Sequence, residues 1–322
     1  AYAQLRNYMQ EIPSLFIYNA FCVMSDQAMT KAGTITAGED RFMQWKTVDG
    51  SYEDTHSANF DVLFAGMFEK TRFVELLRNF ICYSKDGKQR VKILSAYHQF
   101  YAVHKAVLST VKAAETDGRG GVFWHTQGSG KSLTMVMLAK YILMELRDCH
   151  PRVVIVTDRK ELDAQIAATF AHTRLTPARA TSGRHLVELV NSARADVITS
   201  IINKFNTVER QEIKNPSRDI FVLVDESHRS NYGLMATRMR SVFHNACYIG
   251  FTGTPLMKSE KNTMARFGRL IHKYTIRDGV EDGAIVPLIY EGRFVEQKVD
   301  EENIDLWFRQ TTRRLTEAQR ED

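Results

Sequence analysis

The sequence predicts an α/β fold built on a doubly wound parallel sheet, and three observations predict it. Apolar strand-like runs near residues 122, 153, 197, 221 and 247 alternate with helical patterns near 98–114, 132–147, 160–170, 184–194 and 232–243. The first of those strands breaks into a glycine-rich turn that opens a helix. A later strand ends in two adjacent carboxylates, Asp225 and Glu226, and the carboxyl edge of such a sheet is where ligands bind.

Taken in chain order, residues 1–84 carry short strand-like runs, such as Phe16 to Met24. A helical stretch from Ala58 to Tyr83 follows, with apolar residues at Leu63, Met67, Phe68 and Leu76. The polar run from Ser84 to Arg90 reads as a linker. Residues 85–290 then form the alternating α/β unit, and 291–322 are a charge-rich segment set apart from it. Early in the unit, Gln99 sits among aromatics in Tyr97-His98-Gln99-Phe100-Tyr101. Its amide matches the N6 and N7 edge of adenine, which would favour ATP, although a glutamine beside aromatics is also an ordinary surface residue.

The strand Val122-Phe123-Trp124-His125 leads into Thr126-Gln127-Gly128-Ser129-Gly130-Lys131-Ser132 and an apolar helix. Glycines let the backbone turn with its N–H groups inward, and the helix start adds positive partial charge, so the segment suits a triphosphate. Lys131 would reach the β- and γ-phosphates and the Ser132 hydroxyl would ligate Mg²⁺. His125 stands where this motif usually has its first glycine. The strand Ile220-Phe221-Val222-Leu223-Val224 delivers Asp225-Glu226-Ser227-His228. Asp225 would complete the Mg²⁺ shell and Glu226 would orient and deprotonate the attacking water. A further strand, Cys247 to Phe251, runs into Thr252-Gly253-Thr254-Pro255, whose hydroxyls could bridge to His228.

These boxes in this order are similar to superfamily-two helicases and translocases, in which the third couples hydrolysis to movement on nucleic acid. The resemblance implies a RecA-like motor domain. Thr157 and Arg159 after one strand, and Thr199, Ser200 and Lys204 in and after another, put hydroxyl and basic groups at strand ends. They suit a DNA backbone, or, for Thr157 and Ser200, ordinary strand-to-helix capping.

The wording of Trp124 to Met135, Thr157 to Asp163, Asp225 to Ser230 and Gly250 to Leu256 resembles, more narrowly, the restriction subunit of type I restriction-modification enzymes. So do Ser14 to Asn19 and Ala37 to Lys46, which look like the close of that subunit's restriction-endonuclease-like α/β domain. Gln4 and Tyr8 resemble the Gln-x-x-x-Tyr element that follows that family's nuclease carboxylates and lysine. No Asp…Glu-x-Lys precedes them, so the chain reads as an internal fragment without the nuclease metal site. No Gln-x-x-Gly-Arg-x-x-Arg box follows, so 291–322 reads as the start of a second motor domain or a linker.

The resemblance implies an ATP- and Mg²⁺-dependent translocase on double-stranded DNA, with modification and specificity subunits as partners. It also implies that the fragment alone turns ATP over weakly and does not cut DNA. The alternatives are another superfamily-two helicase or remodelling ATPase, or an inactive nucleotide-binding assembly module.

Composition fits this class. The chain has 322 residues, 44% hydrophobic and 25% charged, as in a globular protein with a full core. A net charge of +5 permits nucleic-acid contact without arguing for it. Cys22, Cys82, Cys149 and Cys247 are scattered with no C-x-x-C pair, which suggests neither zinc nor a disulfide framework. No apolar run has the length of a membrane span and no signal peptide opens the chain, so a cytoplasmic protein is expected.

Overall fold

The computed structural model describes all residues except 27–28, 52–59, 87–88, 147–149, 158–165, 167–169, 171–176, 193–194, 206–214, 228–231, 255–260, 288–290, 292–300 and 314–322. Ala1–Val286 form one compact unit and Pro287–Asp322 a second. The described part of the second unit contains the helix Glu301–Thr311. No helix among the described residues is long and apolar enough to cross a membrane.

The first unit opens with helix α1 (Tyr2–Glu11) and a small antiparallel sheet of β1 (Cys22–Ser25), β2 (Thr30–Gly33) and β3 (Met43–Gln44). Helices α2 (Phe60–Met67) and α3 (Lys70–Asn79) follow, where one helical stretch is expected. The Glu69 carboxylate accepts the backbone N–H groups of Thr71 and Arg72 at 3.1 and 2.9 Å, so it starts a new helix there. The expected linker is instead a hairpin of β4 (Ile81–Asp86) and β5 (Gln89–Leu94), paired from Ile81↔Leu94 to Asp86↔Gln89. Its polar sequence marked a turn correctly, but backbone pairing carries through the charged residues on both sides.

Next come α4 (Tyr97–Glu115), β6 (Arg119–His125), α5 (Lys131–Glu145), β7 (Arg152–Thr157), β8 (Pro177–Arg179), α6 (Gly183–Asn191) and β9 (Val197–Ile201). The unit continues through β10 (Ile220–Val224), α7 (Tyr232–Val242), β11 (Cys247–Thr252), α8 (Lys261–Phe267), β12 (Leu270–Tyr274) and α9 (Ile276–Glu281). Seven strands form one sheet in the order β12-β6-β11-β10-β7-β9-β8, and every pairing within it is parallel.

Both faces of this sheet are covered, which is why its central strands are apolar without alternation. Val153, Ile155, Phe221 and Leu223 enter one core with Phe100 and Met135, while Val154, Val156, Val222 and Val224 enter another with Leu186 and Phe243. Phe123 on β6 stacks on Phe251 of β11 with centroids 4.5 Å apart and planes 6° from parallel. That contact ties the glycine-loop strand to its neighbour. Because the strands are parallel, β6, β10 and β11 release their following loops at the same sheet edge, with β11 between the other two.

Candidate functional site

The loop after β6 is shaped by two glycines in the left-handed region, Gly128 and Gly130, both at φ +83. Gly130 is the N-cap of α5, and no side chain caps that end. The first-turn N–H groups are therefore available to an anion. A Cβ at position 130 would also lie 2.6 Å from Gln99 Nε2, so glycine is required there for room as well as for conformation. Ser129 Oγ donates to the Thr126 carbonyl at 2.6 Å, and Thr126 N donates to Tyr274 O at 2.9 Å, which pins the loop to β12. Thr126 and Ser129 are buried, Gln127 and Gly128 exposed, and Lys131 and Ser132 half-buried.

Opposite this loop, β10 ends in Asp225, which is 4% exposed, and Glu226, held at φ +50. A non-glycine residue in that region is strained, and such strain collects at functional sites. Glu226 Oε1 lies 3.9 Å from Lys131 Nζ, with both side chains largely sheltered. The third loop makes room for this pair, since a Cβ on Gly253 would come within 2.7 Å of Lys131 Nζ. Thr252 and Thr254 hydroxyls lie 3.3 Å apart beside it. The strand order thus brings Lys131, Glu226 and Gly253 together from positions far apart in sequence. A cation, uncapped helical N–H groups, a hydroxyl at Ser132 and a buried carboxylate at Asp225 are the donor set that a metal-bound triphosphate needs.

Gln99 lies in the first turn of α4, buried beside the loop. Its Oε1 accepts Ala96 N at 3.0 Å and its Nε2 donates to Gly130 O at 3.2 Å. One N–H and one lone pair of the amide remain beyond those two bonds.

Beneath the loop lies a cluster that sequence reasoning did not assemble. His125 is fully buried, its Nε2 2.9 Å from His272 Nδ1 on β12. The residue in the usual glycine position therefore turns into the sheet rather than into the loop. His98 Nε2 lies 3.3 Å from Ser129 O, and its ring stacks on Tyr274 at 3.8 Å. Burial pushes His98 down to about 4, against the opposing pull of the Ser129 carbonyl and of Asp282 and Asp278. Burial pushes His272 down to about 3, aided by His98 and Lys105. His125 falls well below its usual range, first by burial and then by the nearby His272, His98 and Lys131. All three are neutral at physiological pH. Asp282 accepts Tyr97 Oη at 2.9 Å and Tyr274 Oη at 2.6 Å and pairs with Lys46, so it joins the amino-terminal segment to this floor.

Other expected positions fall elsewhere. Thr157, Thr199 and Ser200 are each 0% exposed, because the strand ends that carry them are covered by packed elements. This corrects the expectation that they face a DNA backbone. Lys204 directs its ammonium to the Ala180 carbonyl. His228 and Arg159 lie outside the described residues. Gln4 and Tyr8 share one exposed face of α1, with Gln4 Nε2 donating to Tyr8 Oη at 2.7 Å.

The profile of the SWI2/SNF2 ATPase family matches residues 98–321, from the Gln99 region through all three loops. The chain belongs to the SWI2/SNF2 ATPase family. Its curated homologues are type I restriction endonuclease subunits. The putative MjaIXP endonuclease subunit of Methanocaldococcus jannaschii is 34% identical over 95% of this chain and 31% of its own length. The HindI endonuclease subunit of Haemophilus influenzae is 36% identical over 90% of this chain and 30% of its own length. This SWI2/SNF2 ATPase thus spans about a third of those relatives. Among solved structures, the UvsW helicase from bacteriophage T4 is 19% identical and covers 63% of this chain and 67% of that chain, with a TM-score of 0.44.

Proposed function

We propose that this chain is the nucleotide-binding half of the DNA-translocating motor in a type I restriction endonuclease subunit. ATP hydrolysis would drive movement along double-stranded DNA ahead of cleavage. The approach of Lys131 to Glu226 across the mouth of the glycine loop supports this reading best, because it sets a phosphate-seeking cation opposite a carboxylate able to handle water. In this assignment Thr126 to Ser132 wrap the phosphates, Lys131 neutralises them, and Ser132 and Asp225 hold Mg²⁺, which supplies charge neutralisation at the phosphates. Glu226 orients and deprotonates the attacking water. The remaining N–H and lone pair of Gln99 match N7 and N6 of adenine. Thr252, Gly253 and Thr254, with His228, relay the state of the site to a second motor domain.

Residues 1–84 would close a nuclease domain, with Gln4 and Tyr8 as accessory groups, and 291–322 would lead towards the second motor domain. Modification and specificity subunits would complete the complex in the cytoplasm. The test is Glu226→Gln in an enzyme with both motor domains. ATP affinity should stay within a few-fold while DNA-stimulated turnover falls by roughly 10² or more. Loss of binding together with turnover would place Glu226 in the metal shell or the scaffold.

A further inference from the structure

Beside the glycine loop a cavity of about 500 Å³ opens between the motor and the amino-terminal segment. Gly128, Ser129, Gly130, His98 and Gln99 line one side. The opposite side comes from the turn after β2, with Thr34, Thr36 and Arg41, and from Val91, Lys92 and Leu94 of β5. Its size suits a nucleoside rather than a phosphate chain, and binding cavities for small ligands run from about 300 Å³ upward.

The outer wall is built rather than loosely apposed. Thr34 and Thr36 hydroxyls donate to the Lys92 carbonyl at 2.6 and 3.1 Å, and Lys92 N donates to Thr36 Oγ1 at 2.8 Å. From behind, Tyr2 Oη donates to Ala37 O at 3.1 Å and Arg6 Nη1 to Ile35 O at 3.3 Å, so α1 braces the same turn. The wall carries two cations. Lys92 Nζ is spent on the Asn19 carbonyl at 2.9 Å. Arg41 stands at the rim, its side chain 70% exposed and only loosely paired with Asp40 at 3.6 Å. On the motor side His98 is 1% exposed, and its Nδ1 has no hydrogen-bond partner among the described residues. With Nε2–H directed at the Ser129 carbonyl, Nδ1 is a buried acceptor that a ligand hydroxyl would satisfy.

We infer that this cavity is the nucleoside compartment of the site, taking the base and ribose of a purine nucleoside triphosphate, with the Arg41 guanidinium closing over the base. This rests on the proposed function, since the phosphate loop fixes which end of the nucleotide enters. A planar, weakly hydrated guanidinium stacks on a ring face as an ammonium does not. The apolar Val91 and Leu94 face the base, and the ribose hydroxyls reach His98. The amino-terminal segment is then part of the nucleotide site.

Calorimetry with two probes, ATP·Mg²⁺ and tripolyphosphate·Mg²⁺, separates this inference from the reading beneath it. Arg41→Ala should weaken ATP about fivefold and leave tripolyphosphate unchanged, with Arg41→Lys falling between. Val91→Trp, which fills the cavity, should weaken ATP at least about tenfold and again spare tripolyphosphate. Lys131→Ala should weaken both probes. ATP binding like the parent's in both Arg41→Ala and Val91→Trp would put the base elsewhere and leave the motor reading intact. Equal losses on both probes for Arg41→Ala would make Arg41 a phosphate contact and overturn the stacking role. Undiminished binding of either probe by Lys131→Ala would instead remove the proposed function itself. Arg41 is exposed, so its variants fold even if Val91→Trp does not.

Discussion

Mild acid should destabilise this protein steeply, because three neutral histidines are sealed beneath the glycine loop. Above the ordinary histidine value of 6.5, His98, His125 and His272 are neutral in the folded and unfolded chains alike, and stability does not depend on them. Below that value the unfolded chain takes up protons that the folded core refuses. Each histidine then removes roughly 1.4 kcal/mol of stability per pH unit. For His98 the loss continues until the folded ring itself protonates near about 4, a total of about 3 kcal/mol, and for His272 until about 3. Together the three give a slope of roughly 4 kcal/mol per pH unit, against a total stability on the order of 5–15 kcal/mol. Urea unfolding followed by circular dichroism between about pH 7.5 and about pH 4.5 reads this directly, as a falling midpoint at nearly constant m value. His272→Gln, which keeps a hydrogen-bonding partner for His125, should lower the slope by about a third. A midpoint flat across that range would show that the histidines are not sealed, and that the loop does not rest on them.

Two other outcomes follow from the packing and from the amino-terminal segment. Phe251→Ala removes a fully buried ring stacked on Phe123, and should cost about 3–5 kcal/mol in chemical denaturation; a loss below about 1 kcal/mol would mean that the β6–β11 contact is not formed. Gln4→Ala, made in the complete restriction enzyme, should depress ATP-dependent DNA cutting while leaving ATPase largely intact, and loss of ATPase would instead assign α1 to the motor.

The sheet was legible because its strands are uninterrupted apolar runs. Ile220 to Val224 is buried on both faces, and no solvated alternative suits it. By contrast β12 escaped notice, since Leu270 and Lys273 are exposed and His272 interrupts its apolar pattern. That strand positions the site all the same, through Tyr274 and His272. The phosphate-loop residues and the paired carboxylates were visible as local patterns, because the loop's chemistry depends on neighbours in sequence. What was not visible depends on contacts across the chain. His125 looked like a departure from its motif until its partner His272 was found on an adjacent strand. The buried state of Thr157 and Ser200 likewise depends on packing that strand-end placement does not reveal. The cavity wall at Thr34, Thr36 and Arg41 has no local signature at all.

The central claim, that the loop from Thr126 to Ser132 holds the phosphates of a nucleotide, is tested most directly by calorimetric titration of ATP·Mg²⁺ into the parent chain and Lys131→Ala. Lys131 is the side-chain cation of that loop, so its removal should weaken binding by at least about tenfold, or about 1.4 kcal/mol. Equal affinity in the two proteins would contradict it.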